Sequence, residues 1–132
     1  MAIKIVIGTK SGKTYQKELS AQEAESLYGK MLGEEFNGEM IGFSGIKFFI
    51  TGGSDSNGFP MRKDLIGDRK KKILITKSVG FRGKLRGNKF SGLRVKKTVA
   101  GNTVFEKTNQ INVKIISGED KIEAFFAPKE SE

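Results

Sequence analysis

The sequence predicts a mainly β protein: a small antiparallel β-barrel or a strongly curved sheet, with one short helix and a basic extended arm. Three observations predict it. Six or more short runs of alternating apolar residues recur along the 132-residue chain, 17 glycines punctuate them, and only one stretch has a helical period. Short strands joined by glycine turns favour a curved or closed sheet over the alternating βα units of a parallel one. A chain of this length reads as one domain, here residues 1–128 followed by an acidic tail at 129–132. It can bury roughly two-thirds of its unfolded surface.

The elements follow in order. Residues 3–7 set Ile3, Ile5 and Ile7 on one face, the period of a half-buried strand. Glycines and a serine at 8–13 turn the chain, and 14–19 pairs back as a second strand. Ser20 and Glu23 have the spacing of a capping box and open a helix over 21–31. Ala24, Leu27, Tyr28 and Met31 form its apolar stripe, and Gly33 stops it. Strands are predicted at 34–43 and 46–51, the second with Ile46, Phe48 and Ile50 on its buried face. Further strands are predicted at 72–78, 93–99 and 111–117, and a turn at Gly101-Asn102. Ala124, Phe125 and Phe126 form a last strand or helical turn. Between 81 and 92 glycines, cations and two phenylalanines interleave without any period. This is the extended arm, 79–92, expected to be mobile without a partner.

Composition excludes several chemistries. Cysteine is absent, so there is no disulfide, thiolate metal site or thiol nucleophile. Histidine is absent too, which removes the usual general base and a common metal ligand. No run is long enough to span a membrane, and the N-terminus is too short and too alternating for a signal peptide. An intracellular, cytoplasmic protein without a cofactor is expected.

Charge is the strongest functional signal. The formal net charge is +9, yet residues 62–97 alone hold 14 Lys/Arg and two acids, Asp64 and Asp68. A cationic island on a slightly acidic body implies an acidic partner. Phosphate contact is expected from Arg62, Lys63, Arg69, Lys70, Lys71, Lys72, Arg82, Lys84, Arg86, Lys89, Arg94, Lys96 and Lys97. A solvated charged face is the plain alternative, but it does not explain why so few acids are interspersed.

Ahead of the island lies Gly52-Gly53-Ser54-Asp55-Ser56-Asn57-Gly58-Phe59-Pro60-Met61. Gly52, Gly53 and Gly58 tolerate positive φ. Asp55 and Asn57 can hold a tight loop by bonding backbone N–H groups. Pro60 extends Phe59, and Phe59 and Met61 anchor the loop to a core. Phe81 and Phe90 either stack on unpaired bases or pack the arm onto the body, the simpler reading. Asp55 and Asn57 lack the further acids and closing glutamate of a calcium loop, so no metal site is expected. Gly80–92 lacks a Walker spacing. Glu34/Glu35 and Glu119/Asp120 read as surface charges.

The 52–61 block, followed by Arg62, resembles the eukaryotic-type small-subunit ribosomal protein six family. A second match is Gly92-Leu93-Arg94-Val95-Lys96-Lys97-Thr98-Val99 leading to Gly101, and the order of elements fits along nearly the whole chain. The first block is quite specific, the second weaker. Ala100 stands where the family usually has a further Arg, which removes one expected phosphate contact. The acidic ending replaces the long basic C-terminal helix of eukaryotic members. The short form is therefore similar to archaeal members, and kinase regulation is not carried over.

The resemblance implies a non-enzymatic constituent of the small ribosomal subunit, with a β-barrel-like body. Ribosomal RNA would lie against the loop of Gly52, Gly53, Asp55, Gly58, Phe59, Pro60 and Met61 and against Arg94–Lys97. Neighbouring small-subunit ribosomal proteins would be the other partners, and the free protein would be a monomer. The alternative is a free nucleic-acid-binding module, such as a translation-associated factor. A nucleic-acid enzyme would need a carboxylate–metal mechanism.

Overall fold

The alternating isoleucines at the start of the chain behave as their period demands. In the computed structural model, which describes residues 3–85, 88–89 and 92–118, strand β1 (Lys4–Gly8) buries Ile5 and Ile7 fully, with Ile3 just before it. Strand β2 (Thr14–Glu18) folds back antiparallel, Ile5 opposite Lys17 and Ile7 opposite Tyr15. Helix α1 (Ala21–Leu27) starts at the expected capping box. The Glu23 N–H donates to Ser20 Oγ at 3.4 Å, and the Ser20 N–H donates to Glu23 Oε2 at 3.1 Å. Two backbone donors that the first turn leaves without partners are thereby satisfied.

The helix ends at Leu27, short of the predicted Met31. The next residues pair instead with 102–104. The Gly29 N–H donates to the Val104 carbonyl at 3.0 Å, the Val104 N–H to Lys30 O at 2.8 Å, and the Leu32 N–H to Asn102 O at 2.9 Å. Backbone groups already satisfied this way need no further helical turn. Tyr28 and Met31, expected on the buried stripe, are 40% and 39% exposed.

The predicted strand at 34–43 is realised only as β3 (Glu35–Asn37). A 3-10 turn at Gly38–Ile41 follows and carries Ile41 and Phe43 into the core. Strand β4 (Lys47–Asp55) buries Phe48 and Ile50. The Phe48 ring lies 5.5 Å from that of Phe36 and 5.9 Å from that of Phe43. Strand β4 runs on through Gly52, Gly53, Ser54 and Asp55, four of the ten residues expected to be loop. The reason is a long partner: β9 (Thr108–Ser117) supplies ladder positions opposite all four.

Strand β5 (Lys71–Ile75) pairs antiparallel with β8 (Val95–Val99) as a separate ribbon. Within the predicted arm, β6 (Lys84–Leu85) pairs with β7 (Asn88–Lys89), a strand pairing that the aperiodic sequence did not signal. Arg86, Phe90, the Glu119/Asp120 pair, the apolar stretch 124–126 and the acidic tail lie outside the described residues.

The main sheet has the order β2-β1-β9-β4-β3. It is mixed, not purely antiparallel as expected, because β9 enters between β4 and β1 and runs parallel to β1. Among the described residues no ladder joins β2 to β3, so the sheet is open and not a closed barrel. Register shifts along β4 mark bulges, which increase local twist. At one of them Thr51 falls out of the ladder, and its hydroxyl donates to the Asn112 carbonyl at 3.0 Å.

Candidate nucleic-acid interface

The loop ahead of the basic island is a hairpin built on one carboxylate. Asp55 is 4% exposed, and its Oδ1 accepts the Asn57 N–H at 3.0 Å and the Phe59 N–H at 2.8 Å. The Asp55 N–H donates to Phe59 O at 3.0 Å, and Gly58 takes φ +85 at the turn. That left-handed value suits a residue with no Cβ. Gly52 and Gly53 do not use the positive φ that they tolerate. Gly53 is there for contact: a Cβ on it would meet Gln110 O at 2.5 Å and Met61 Sδ at 2.9 Å. Met61 is 4% exposed and Phe59 half-buried, so this pair does anchor the returning strand.

Two residues then fix where the basic segment leaves the body. The side chain of Arg62 is only 13% exposed. Its Nε donates to Asp64 Oδ1 at 2.9 Å and its Nη2 to Asp64 Oδ2 at 2.6 Å. Its Nη1 donates to Ser78 Oγ at 2.8 Å and Val79 O at 2.7 Å. The bond to Asp64 raises the Arg62 pKa, and the same bond lowers that of Asp64. Asn102 does the other half. Its Nδ2 donates to Lys63 O at 3.3 Å, its Oδ1 accepts the Gly67 N–H at 3.2 Å, and its N–H donates to Leu65 O at 2.8 Å. The sequence marked Asn102 only as a turn residue; nothing local distinguishes a buried hub from a surface turn. Ala100 is 1% exposed, its N–H donating to Pro60 O at 2.8 Å. That position faces the core and presents no side chain outward.

Lys63, Arg69, Lys70, Lys71, Lys72, Arg82, Lys84, Arg94, Lys96 and Lys97 are all exposed. Among the described residues, Arg62 is the one cation of the island that pairs with a carboxylate. The β5–β8 register sets Lys72 opposite Thr98 and Leu74 opposite Lys96. Alternation therefore puts Lys72 and Lys96 on the outward face, around a Leu74 that is 56% exposed. The other face buries Ile75 and Val99. Phe81, one of the two aromatics in question, is 6% exposed and packs inward, with Lys97 Nζ 5.8 Å from its ring centre. Lys70 Nζ lies 5.3 Å from the ring centre of Phe59. The register sets Lys84 opposite Lys89 at the tip of the arm.

Beside the hairpin opens a cleft of about 490 Å³, between Ser56 and Asn57 on one wall and Phe105 and Lys107 on the other. Arg69, Lys70 and Asp68 close it. Neither Phe105 nor Lys107 stands out in the sequence. A short aromatic–acid–lysine stretch carries no signal of its own. Among the described residues no helix is long and apolar enough to cross a membrane, and no cluster of acids could hold a metal ion.

Residues 3–127 match the family model for ribosomal protein S6e. The chain is 43% identical to the small ribosomal subunit protein eS6 of Methanosphaera stadtmanae, over 100% of this chain and 98% of the relative. It is 40% identical to the protein of that name from Methanothermobacter thermautotrophicus, over 98% and 99%. It is 41% identical to that from Thermoplasma acidophilum, over 85% and 86%. With its hairpin, basic ribbon and late central strand, the chain belongs to the ribosomal protein S6e family, a family of structural components and not of enzymes.

Proposed function

We infer that this protein is a structural constituent of the small ribosomal subunit that holds ribosomal RNA through its basic segment. One observation supports the reading beyond family membership. Eleven exposed cations between 63 and 97, Lys77 among them, stand without a carboxylate partner among the described residues. Each cation that meets a phosphate releases condensed counterions, so an unpaired array binds a sugar–phosphate surface strongly. Lys72 and Lys96 on the ribbon, Arg94 just ahead of β8, and Arg82, Lys84, Arg86 and Lys89 on the arm supply the contacts. Arg62, engaged inside the protein, acts by holding the base of the arm. The 52–61 hairpin acts as a rigid platform beside the RNA, and the arm, 79–92, orders against it. Neighbouring small-subunit proteins complete the surroundings, with the free protein monomeric and its site of action the cytoplasmic ribosome.

The test is binding of isolated protein to structured RNA across a salt series. With about six to ten phosphate contacts, affinity falls on the order of 10³–10⁵ between about 50 and 200 mM salt. A flat salt response would overturn the mechanism. Sedimentation decides between this and a free nucleic-acid-binding module: the constituent stays with the small subunit through a moderate salt wash.

A further inference from the structure

The cleft beside the hairpin is chemically unlike the rest of the basic surface. The ribbon and the arm offer cations for a phosphate backbone. The cleft adds an aromatic wall and a carboxylate. We propose that it receives one unpaired ribonucleotide lifted out of an RNA helix, a reading that rests on the RNA-binding role above.

Three features carry the assignment. The volume, about 490 Å³, lies inside the roughly 300–1,000 Å³ span of small-ligand sites and accommodates one nucleotide. The walls are already tied together. The Ser56 N–H donates to Lys107 O at 2.9 Å and joins the hairpin to the opposite side. On that side Thr108, 3% exposed, accepts the Phe105 N–H on its Oγ1 at 3.1 Å. A preformed cleft needs little ordering when a ligand enters. The polar groups are also mixed in sign. Arg69, Lys70 and Lys107 suit a phosphate, but an exposed Asp68 between them weakens any site for a bare anion. A carboxylate in that position suits a ligand that brings its own hydroxyl donor. A ribose 2′-OH does so, and deoxyribose does not.

In the assigned pose the base lies against Phe105, as unstacked bases do on aromatic side chains. The phosphate meets Lys70 and Lys107, and the 2′-OH donates to Asp68. Phe105 and Asp68 also border a second depression of about 500 Å³ beside Tyr28. This gives the next nucleotide a path onward. Sequence preference is not required, because every base has a face to stack.

The experiment compares three RNA hairpins with the full chain at fixed salt: one with a single bulged nucleotide, one fully paired, and one with a 2′-deoxy bulge. The bulged hairpin is expected to bind on the order of tenfold tighter than the paired one. Phe105→Leu brings that ratio close to one with the paired affinity unchanged, and Phe105→Tyr restores it. Asp68→Ala, which removes the acceptor, erases the preference for ribose over deoxyribose. Lys107→Gln, at an exposed position that does not threaten folding, weakens the bulged hairpin more than the paired one. Equal binding of bulged and paired hairpins with a steep salt slope overturns the cleft assignment alone. A ratio unchanged in both Phe105→Leu and Lys107→Gln does the same. Weak, salt-insensitive binding of all three hairpins overturns the RNA reading along with it.

Discussion

Arg62 grips Asp64, two residues along the chain, with a two-bond fork at 2.9 and 2.6 Å, and the remaining edge of its guanidinium holds Ser78 and Val79. A side chain read from sequence as a phosphate contact is thus the tie between the start of the basic segment and the turn that launches the arm. Arg62→Gln is expected to speed hydrogen exchange at the Phe81 N–H, which donates to Ser78 O at 3.0 Å. Because Asp64 is largely exposed, global stability should change by no more than about 1 kcal/mol. Unchanged exchange at Phe81 would show that the arm is held by other contacts.

The same pair sets an acid limit. The bond from Arg62 holds the Asp64 carboxyl below the usual carboxylate range. Folded Asp64 therefore takes up a proton less readily than unfolded Asp64. Its contribution is fully present above the ordinary carboxylate range and is lost as pH falls through the lowered folded value. Wild-type protein should lose Phe81 protection as pH falls below that range, and high salt should weaken the effect. Asp64→Asn should start from the weakened state and show no further acid step in the same exchange measurement.

Asp55 carries the hairpin. Its buried carboxylate satisfies two backbone N–H groups, so Asp55→Ala leaves both without an acceptor. The expected cost is about 1–3 kcal/mol in urea unfolding. Asp55→Asn, which keeps a carbonyl oxygen, should cost less. If the two variants unfold at the same midpoint, the acceptor role is wrong.

Adjacent glycines should respond in opposite ways. Gly53→Ala pushes a methyl into Gln110 O and Met61 Sδ and should destabilise by about 1–3 kcal/mol. Gly52→Ala meets open space and should be neutral or stabilise by up to about 1 kcal/mol through the unfolded chain. Thermal unfolding of the two variants reads the difference directly.

On the outward face of the ribbon, Lys72→Gln with Lys96→Gln should lower the salt slope of RNA binding by about two, one per phosphate contact. Lys10→Gln, in the turn between β1 and β2, should leave the slope unchanged.

Local pattern revealed local structure here. The period of Ile3, Ile5 and Ile7, the Ser20–Glu23 box, and the Ile111, Val113, Ile115 run each became the expected element, because each is decided within a few residues. The errors came where distant backbone intervened. Residues 28–32 have a helical stripe but pair with 102–104. Gly52–Asp55 has loop composition, yet β9 draws it into a ladder. The site divides along the same line. Exposed cations were visible as a charge run, and the inward packing of Phe81 was the simpler of two readings. The engagement of Arg62, the burial of Ala100 and the hub at Asn102 depend on which segment lies opposite, which no local pattern encodes. Phe105 and Lys107 acquire meaning only when the Ser56 turn lies across from them.

The central place of β9 orders events in the cell. A nascent chain that has emerged only as far as β8 offers β1 and β4 with their facing sides bare, and nothing made earlier fills the slot. Exposed strand sides of this kind recruit other polypeptides. Until Thr108–Ser117 leaves the exit tunnel the molecule is vulnerable, and translation that stalls before that point yields a product open to aggregation.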